Sequence, residues 1–309
     1  MALQDTLTPI LAKRGYSVAL ADTSHDLSWR DMAGRWLAAQ GSTNTRAAYG
    51  RDLADFAAWL PAGRSPESVS RAEVDLYARH LENEGKKPAT VARRLAALSS
   101  FYDYAVGEKW LPDNPVIRVR RPKLSDLSPR QWLSKDQANT ALEVAATMSP
   151  AHQALFGLCF LAGLRVSEAL GVRVEHFGVA NGHQVVQVTR KGGRVAEVVV
   201  SPGCLRLVAA AREGRTEGRL IEGPRGGEVD RHRAARMVAE IGRAAGLTGR
   251  LVPHDLRHSN AVLSLAAGAP IHRVQQQLGH QDPRTTQRYT HHLERLDNAA
   301  AYDLDRFLS

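Results

Sequence analysis

Only two cysteines occur in the 309 residues, Cys159 and Cys204, and neither belongs to a C-x-x-C spacing. That scarcity argues against a disulfide framework or a thiolate zinc site and fits a reducing compartment. Both thiols are expected as small core or near-core residues. Long apolar runs are also missing. No window of 18 apolar residues occurs, so no membrane-spanning helix is predicted. The opening segment, MALQDTLTPILAKRG, has no apolar stretch behind a basic start, so a secretory signal is not expected and an intracellular location is. No internal repeat or low-complexity tract stands out.

What is present is the composition of a soluble globular protein, 43% apolar and 24% charged, with length for two ordinary domains or one large one. Lysine and arginine exceed aspartate and glutamate by 41 to 32, giving a formal charge of +9. Such an excess concentrates polyanions around the protein, nucleic acid being the commonest, although many basic proteins have no such partner.

Residues 1–25 are weakly periodic and read as a short arm. A helical period begins at Ser28, with Trp29, Met32, Ala33, Trp36 and Leu37 on one face. In the next segment Thr43 or Thr45 can cap a helix that turns Tyr49, Leu53, Phe56 and Leu60 inward. Pro61, Gly63 and Pro66 interrupt the chain, and helices follow over residues 71–84 and 88–106. Residues 26–115 thus form a four-helix unit. Pro112, Pro115 and Pro122 forbid a continuous helix in the next stretch, where Arg118, Arg120, Arg121 and Lys123 cluster. Residues 116–130 read as a basic interdomain linker, or equally as a solvated charged loop.

The second domain, residues 131–309, opens with Ser134 as a helix cap. An almost wholly apolar helix is expected over residues 151–162. The period then changes to two: HQVVQVTR and RVAEVVVSP flank Lys191-Gly192-Gly193, a β-hairpin with glycines at its turn. Helices are expected over 205–212, 231–245, 257–267, 271–278 and 283–291, with a break at Gly279. The class is therefore mainly α, an all-helical N-terminal domain followed by a mixed α+β domain with a small antiparallel sheet.

Four short stretches carry polar groups in awkward places. Arg165 follows an apolar helix at the core edge, where an unpaired guanidinium is costly, so it needs Glu168 or an anionic ligand. Lys191 sits at a hairpin tip, where a lysine is ordinarily solvated. His254 and Arg257, three apart on a helix, can address one anion together. Zinc bound by His254 and His258 would lack the glutamate of H-E-x-x-H and would face a neighbouring arginine. Finally, Leu278-Gly279-His280 precedes Tyr289, which sits about two turns into the next helix and is by itself an ordinary core or interface aromatic.

Each stretch alone has a structural explanation; together they supply what metal-free phosphodiester transfer requires. Two guanidiniums can hold the nonbridging oxygens as charge develops at phosphorus. A tyrosine hydroxyl can act as nucleophile, a histidine can accept its proton, and a lysine can protonate the departing 5′-oxygen.

GLRVSEAL, HDLRHS, LGHQDPRTTQRYTHH and the lysine hairpin, in that order, resemble the motif boxes of the tyrosine recombinase family, which includes phage integrases and Xer-type resolvases. The likeness spans residues 28 to 292. The NTRAAYGRDLADFAAWL run resembles, less specifically, the family's core-site DNA-binding domain. The resemblance implies that Arg165, Arg257, His254 and His280 bind the scissile phosphate. It makes Lys191 the general acid, Tyr289 the nucleophile, His254 the base and Glu168 a supporting residue, with Arg190 and Arg194 competing for the lysine's assignment. Thr45, Arg46, Arg93 and Arg94 would join Arg118, Arg120, Arg121 and Lys123 as DNA contacts.

It further implies duplex DNA with inverted-repeat core sites, a tetramer exchanging strands through a Holliday junction, and no metal or other cofactor. An accessory directionality factor is compatible with it, as is a cytoplasmic, nucleoid-associated location in a bacterial host. The tail over residues 293–309 is amphipathic and is expected to pack in trans on a neighbouring protomer. It differs from Xer-type tails, which favours a minimal phage or mobile-element integrase over a plasmid or chromosome dimer resolvase. The first 25 residues look too short for the arm-site domain of larger integrases. The competing readings are a type IB topoisomerase, which would cut at scattered sites, and a DNA-binding regulator, which would bind without cutting.

Overall fold

Ser28 accepts a hydrogen bond from the Asp31 amide and so starts α1, Trp29–Ala39, at the residue where the helical period begins. The computed structural model describes residues 28–123, 132–190 and 192–279. The arm over 1–25, the helix over 283–291, the tail over 293–309, and Lys191, His280 and Tyr289 all lie outside the described residues. The chain divides into two compact units, Met1–Asp126 and Leu127–Ser309.

In the first unit α1 is followed by α2, Thr43–Trp59, α3, Arg71–Asn83, and α4, Pro88–Gly107. The cap of α2 is Ser42, which accepts from the Thr45 amide, not Thr43 or Thr45; both threonines lie inside the first turn. Ser70 and Glu73 close a reciprocal capping box on α3, and Pro88 opens α4, where its missing N–H costs nothing. The four helices enclose an aromatic core. Trp29 stacks on Phe101 at 5.6 Å and Trp36 on Tyr49 at 5.4 Å. Trp36 has no exposed surface, and truncating such a side chain to alanine typically costs about 3–5 kcal/mol. Val116 and Val119 are buried in this same core, so the stretch read as linker begins inside it, while Arg118, Arg120, Arg121 and Lys123 are exposed.

The second unit is built around α6, Pro150–Phe156, which follows α5, Lys135–Thr147, capped by Ser134 as expected. The apolar run does not continue as one helix to Ala162. It widens into a π segment, Gly157–Leu161, closed by the Ala162 amide on the Gly157 carbonyl at 3.1 Å. Phe156, Leu158 and Cys159 are wholly buried there. A Cβ on Gly157 would approach the Leu207 Cβ to 3.0 Å, so glycine lets α8, Pro202–Arg212, lie close. Between them come the short α7, Val166–Leu170, and a three-stranded antiparallel sheet.

The hairpin is formed by β2, His183–Thr189, and β3, Val195–Val199, with Val185 opposite Val199. β1, Phe177–Ala180, was not expected from the sequence; it pairs with β2 with Phe177 opposite Val186. Val186, Val188 and Val198 face the core. The chain then continues through α9, Arg231–Ala244, α10, Pro253–Ala266, and α11, Ile271–Leu278. α10 starts four residues earlier than the period suggested, with Pro253 in its first turn, so His254 and Arg257 lie on one helix. α11 ends at Gly279, whose φ of 62° is the left-handed cap that glycine adopts without strain. Among the described residues, no helix is long and apolar enough to cross a membrane.

Candidate active site

Leaving the π segment, the chain makes a tight turn at Gly163, φ 67°, and enters α7 through Arg165. A Cβ at Gly163 would lie 2.6 Å from the Leu278 Cδ2, so only glycine allows α11 to end against this turn. Glu168, 4% exposed, reaches back to the start of α7. One oxygen accepts from the Arg165 backbone N–H at 2.9 Å and the other from the Arg165 guanidinium at 2.8 Å. Arg257, also 4% exposed, brings its Nη1 to 3.9 Å from the same carboxylate. One buried anion therefore holds two guanidiniums that come from segments nearly a hundred residues apart.

The two arginines are held differently. The Arg165 side chain is 41% exposed and has Glu168 as its ion-pair partner. Arg257 donates Nη1 to the Gly163 carbonyl and Nη2 to the Leu278 carbonyl, the latter at 2.6 Å. Its planar fork thus ties the turn before α7 to the end of α11, a pair of acceptors that a lysine cannot span. Cys159 lies close enough to feel the charges of Arg257 and Glu168, but burial dominates and pushes its thiol up to about 12. The same cause raises Cys204 to about 12, and both are buried free thiols.

Polar side chains from α10 and α11 complete the frame. Asn260 donates to the Phe160 carbonyl at 2.7 Å, and Gln277 donates to the carbonyls of Ala162 and Val199, each at 3.1 Å. Ser259 accepts from the Leu133 amide and donates to the Asp255 carbonyl, each at 2.8 Å. Asn260 and Gln277 thereby satisfy the Phe160 and Ala162 carbonyls, freed where the π segment stops. Sequence reasoning did not single them out. Asn260 lies one turn beyond Arg257 on the same helix, the only signal available for it. His254 is exposed at the start of α10, whereas His258 is buried beside the Trp132 ring, 6.0 Å between centroids. The two imidazoles considered for zinc thus occupy different environments.

Of the residues expected in the site, the structure brings Arg165, Glu168 and Arg257 together and places His254 one turn before Arg257 on α10. Lys191, His280 and Tyr289 fall outside the described residues, although their immediate neighbours Arg190 and Gly279 touch one another. In the first unit Arg93 pairs with the buried Asp52, and Arg94 pairs with Asp55 at 2.8 Å and donates to the Tyr77 hydroxyl at 3.3 Å. Burial pushes the Asp52 carboxyl above its ordinary range despite the arginines beside it. Arg46 donates to the Gln40 carbonyl at 2.7 Å and to the Thr43 hydroxyl, and Thr45 is half-buried.

Residues 131–295 match the phage integrase family, and residues 36–109 match the phage integrase N-terminal SAM-like domain. The tyrosine recombinase XerD of Caulobacter vibrioides is 30% identical over 85% of this chain and 92% of its own length. That of Pseudomonas putida is 31% identical over 86% of this chain and 93% of its own. Among solved structures, a lambda integrase dimer bound to a COC′ core site superposes with a TM-score of 0.67 at 18% identity, covering 84% of this chain and 97% of that one. XerH recombinase in a post-cleavage complex with palindromic difH also gives 0.67, at 19% identity, covering 85% and 81%. The structural likeness carries the fold and the sequence likeness carries the family: the chain belongs to the phage integrase family, the tyrosine recombinases.

Proposed function

We propose that this recombinase binds duplex DNA at specific inverted-repeat sites and exchanges strands through a covalent 3′-phosphotyrosine. Arg165 and Arg257 hold the nonbridging oxygens of the scissile phosphate, with His254 and His280 beside them. The Tyr289 hydroxyl oxygen attacks phosphorus and its proton passes to His254. The phosphorus–5′-oxygen bond breaks, and the departing oxygen takes a proton from Lys191. Rejoining reverses these steps with a 5′-hydroxyl from the partner strand, so the phosphodiester energy is kept in the protein–DNA bond. No metal enters the scheme, since the guanidiniums and ammonium supply the positive charge.

The observation that carries this reading is the shared contact of buried Glu168 with Arg165 and Arg257. Two guanidiniums brought to one carboxylate present forked donors of the kind that suit the oxygens of a phosphate. Exposed Arg118, Arg120, Arg121 and Lys123 would contribute salt-sensitive phosphate contacts, joined by Thr45, Arg46, Arg93 and Arg94. Assembly as a tetramer, with the 293–309 tail packing on a neighbouring protomer, belongs to the same proposal. The likeness to XerD over most of both chains favours the resolvase reading; the contrary argument for a mobile-element integrase rests on a tail outside the described residues.

The test is to incubate the protein with fragmented DNA from its own replicon and host, quench in detergent and sequence the protein-linked ends. Ends clustered at inverted repeats and linked to Tyr289 are the expected result. Scattered ends would indicate a topoisomerase, and tight binding without any adduct a regulator. Clusters at a chromosomal or plasmid site would identify a resolvase, and a pair of attachment sites an integrase. Tyr289→Phe should bind DNA normally and form no adduct; persistence of the adduct sinks the nucleophile assignment.

A further inference from the structure

Arg190 immediately precedes Lys191 and is positively charged, which makes it a rival for the lysine's role. The geometry points to a different one: we propose that Arg190 is a positioning residue that latches the β2–β3 hairpin onto the end of α11. This rests on the reading of Lys191 as the general acid.

The turn is closed by the Arg190 backbone. Its N–H donates to the Arg194 carbonyl at 2.8 Å, and its carbonyl accepts from the Gly193 N–H at 3.1 Å. Its side chain leaves the hairpin altogether. Nη2 donates to the Gln277 carbonyl, 87 residues further along, at 3.3 Å. Nη1 lies so close over Gly279 that a Cβ there would collide with it. Glycine at 279 is thus required twice, by its left-handed φ and by the guanidinium above it. A cation at this spot also meets the partial negative charge of a helix C-terminus.

Gln277 crosses the same seam in the opposite direction. Its side-chain amide donates to Val199 at the end of β3 and to Ala162 at the end of the π segment. Arg190 ties down β2 and Gln277 ties down β3, so both strands of the hairpin are fastened to α11. The residues next in sequence to this clasp are Lys191 on one side and His280 on the other. A latch joining Arg190 to Gly279 therefore fastens together the two residues that directly precede the proposed acid and a proposed phosphate ligand in the chain. A general acid must lie within hydrogen-bond reach of its oxygen, and a misplacement of about 1 Å costs on the order of 100-fold.

Arg190→Met keeps the aliphatic stem and removes the donors. The assay is single-turnover formation of the covalent complex on a duplex carrying the site recovered by adduct mapping. It is run with the natural phosphodiester and with sulfur in place of the bridging 5′-oxygen. A thiolate leaves without protonation, so loss of the acid is silent on the sulfur substrate. R190M is expected to slow cleavage of the phosphodiester by about 10–100-fold. It should bind DNA with unchanged affinity and return to the wild-type rate on the sulfur substrate, as Lys191→Ala should. Slow cleavage of both substrates, or weakened binding, would mean that Arg190 acts on DNA itself and would overturn the proposal. A wild-type rate on the phosphodiester would overturn it too. If K191A is not rescued by sulfur, the acid assignment beneath the proposal fails instead. The latch itself is read separately by hydrogen exchange of the DNA-free protein. R190M should speed exchange in both 185–199 and 271–279, and no change in either segment refutes the tether.

Discussion

Replacing Arg257 with lysine separates the two tasks that its guanidinium carries. The charge is kept, so the interaction with Glu168 survives in part. The fork is lost, and one ammonium cannot serve the Gly163 and Leu278 carbonyls together. A buried acceptor left without a donor costs about 1–3 kcal/mol. Taking about 2 kcal/mol, and about 2–4 °C per kcal/mol for a unit of this size, the melting temperature of the second unit should fall by about 4–8 °C. Arg165→Lys makes the contrast. That side chain is 41% exposed and bridges to a neighbour three residues away, an interaction worth about 0–1 kcal/mol, so its melt should shift by no more than about 4 °C. Cleavage should fall in both variants by about 10²–10³-fold, since each removes a forked donor from the phosphate that the pair is proposed to hold. Scanning calorimetry of the DNA-free chain and single-turnover cleavage are sufficient to check this. The reasoning is refuted if R257K melts like the wild type, or if both variants lose equal stability.

Three further outcomes follow from groups described above. Gly163→Ala forces a side chain into a left-handed turn, at about 1–2 kcal/mol, and against Leu278; a drop of at least about 3 °C in the same melt is expected, and an unchanged melt contradicts the packing. Cys159 and Cys204, with thiols pushed up to about 12, should resist iodoacetamide at pH 8 until the protein unfolds; labelling of the native protein within minutes contradicts their burial. Asp52 has a folded-state pKa above its ordinary 3.8, so it holds a proton more tightly folded than unfolded. Its contribution to stability is therefore present below 3.8 and is lost as pH rises through the folded value. Relative to wild type, Asp52→Asn should become progressively more stable across that window in urea melts of the first unit. A difference that stays flat with pH would refute the assignment.

The helices were legible because their start signals are local: Ser28 and Ser134 stand immediately before periodic apolar residues and cap the helices found there. Pro253 was an equally local signal for the start of α10, and the later apolar period concealed it. Ser42 was displaced by the two threonines beside it, since all three can cap and only the backbone decides. β1 was missed because four residues with exposed inner positions carry no alternation; pairing with β2 makes them a strand. The π segment looks like ordinary helix in sequence because apolar side chains surround it on every face. In the site, Arg165 and Glu168 were recognisable as a pair from their spacing. Gln277, Asn260 and the latch through Arg190 were not, because each answers a backbone carbonyl 78 to 115 residues away.

That distance also has a meaning in time. The Phe160, Ala162 and Gly163 carbonyls are synthesised 94 to 115 residues before Asn260, Gln277 and Arg257, their donors. At about 5–20 residues per second, the ribosome leaves them waiting for about 5–20 s. Throughout that interval Arg165 has Glu168 but no second guanidinium beside it, and the clamp proposed for the phosphate is incomplete. A chain abandoned before residue 253 never completes it. On the role proposed for this pair, the chain is kept inert toward DNA until residue 257 has been made.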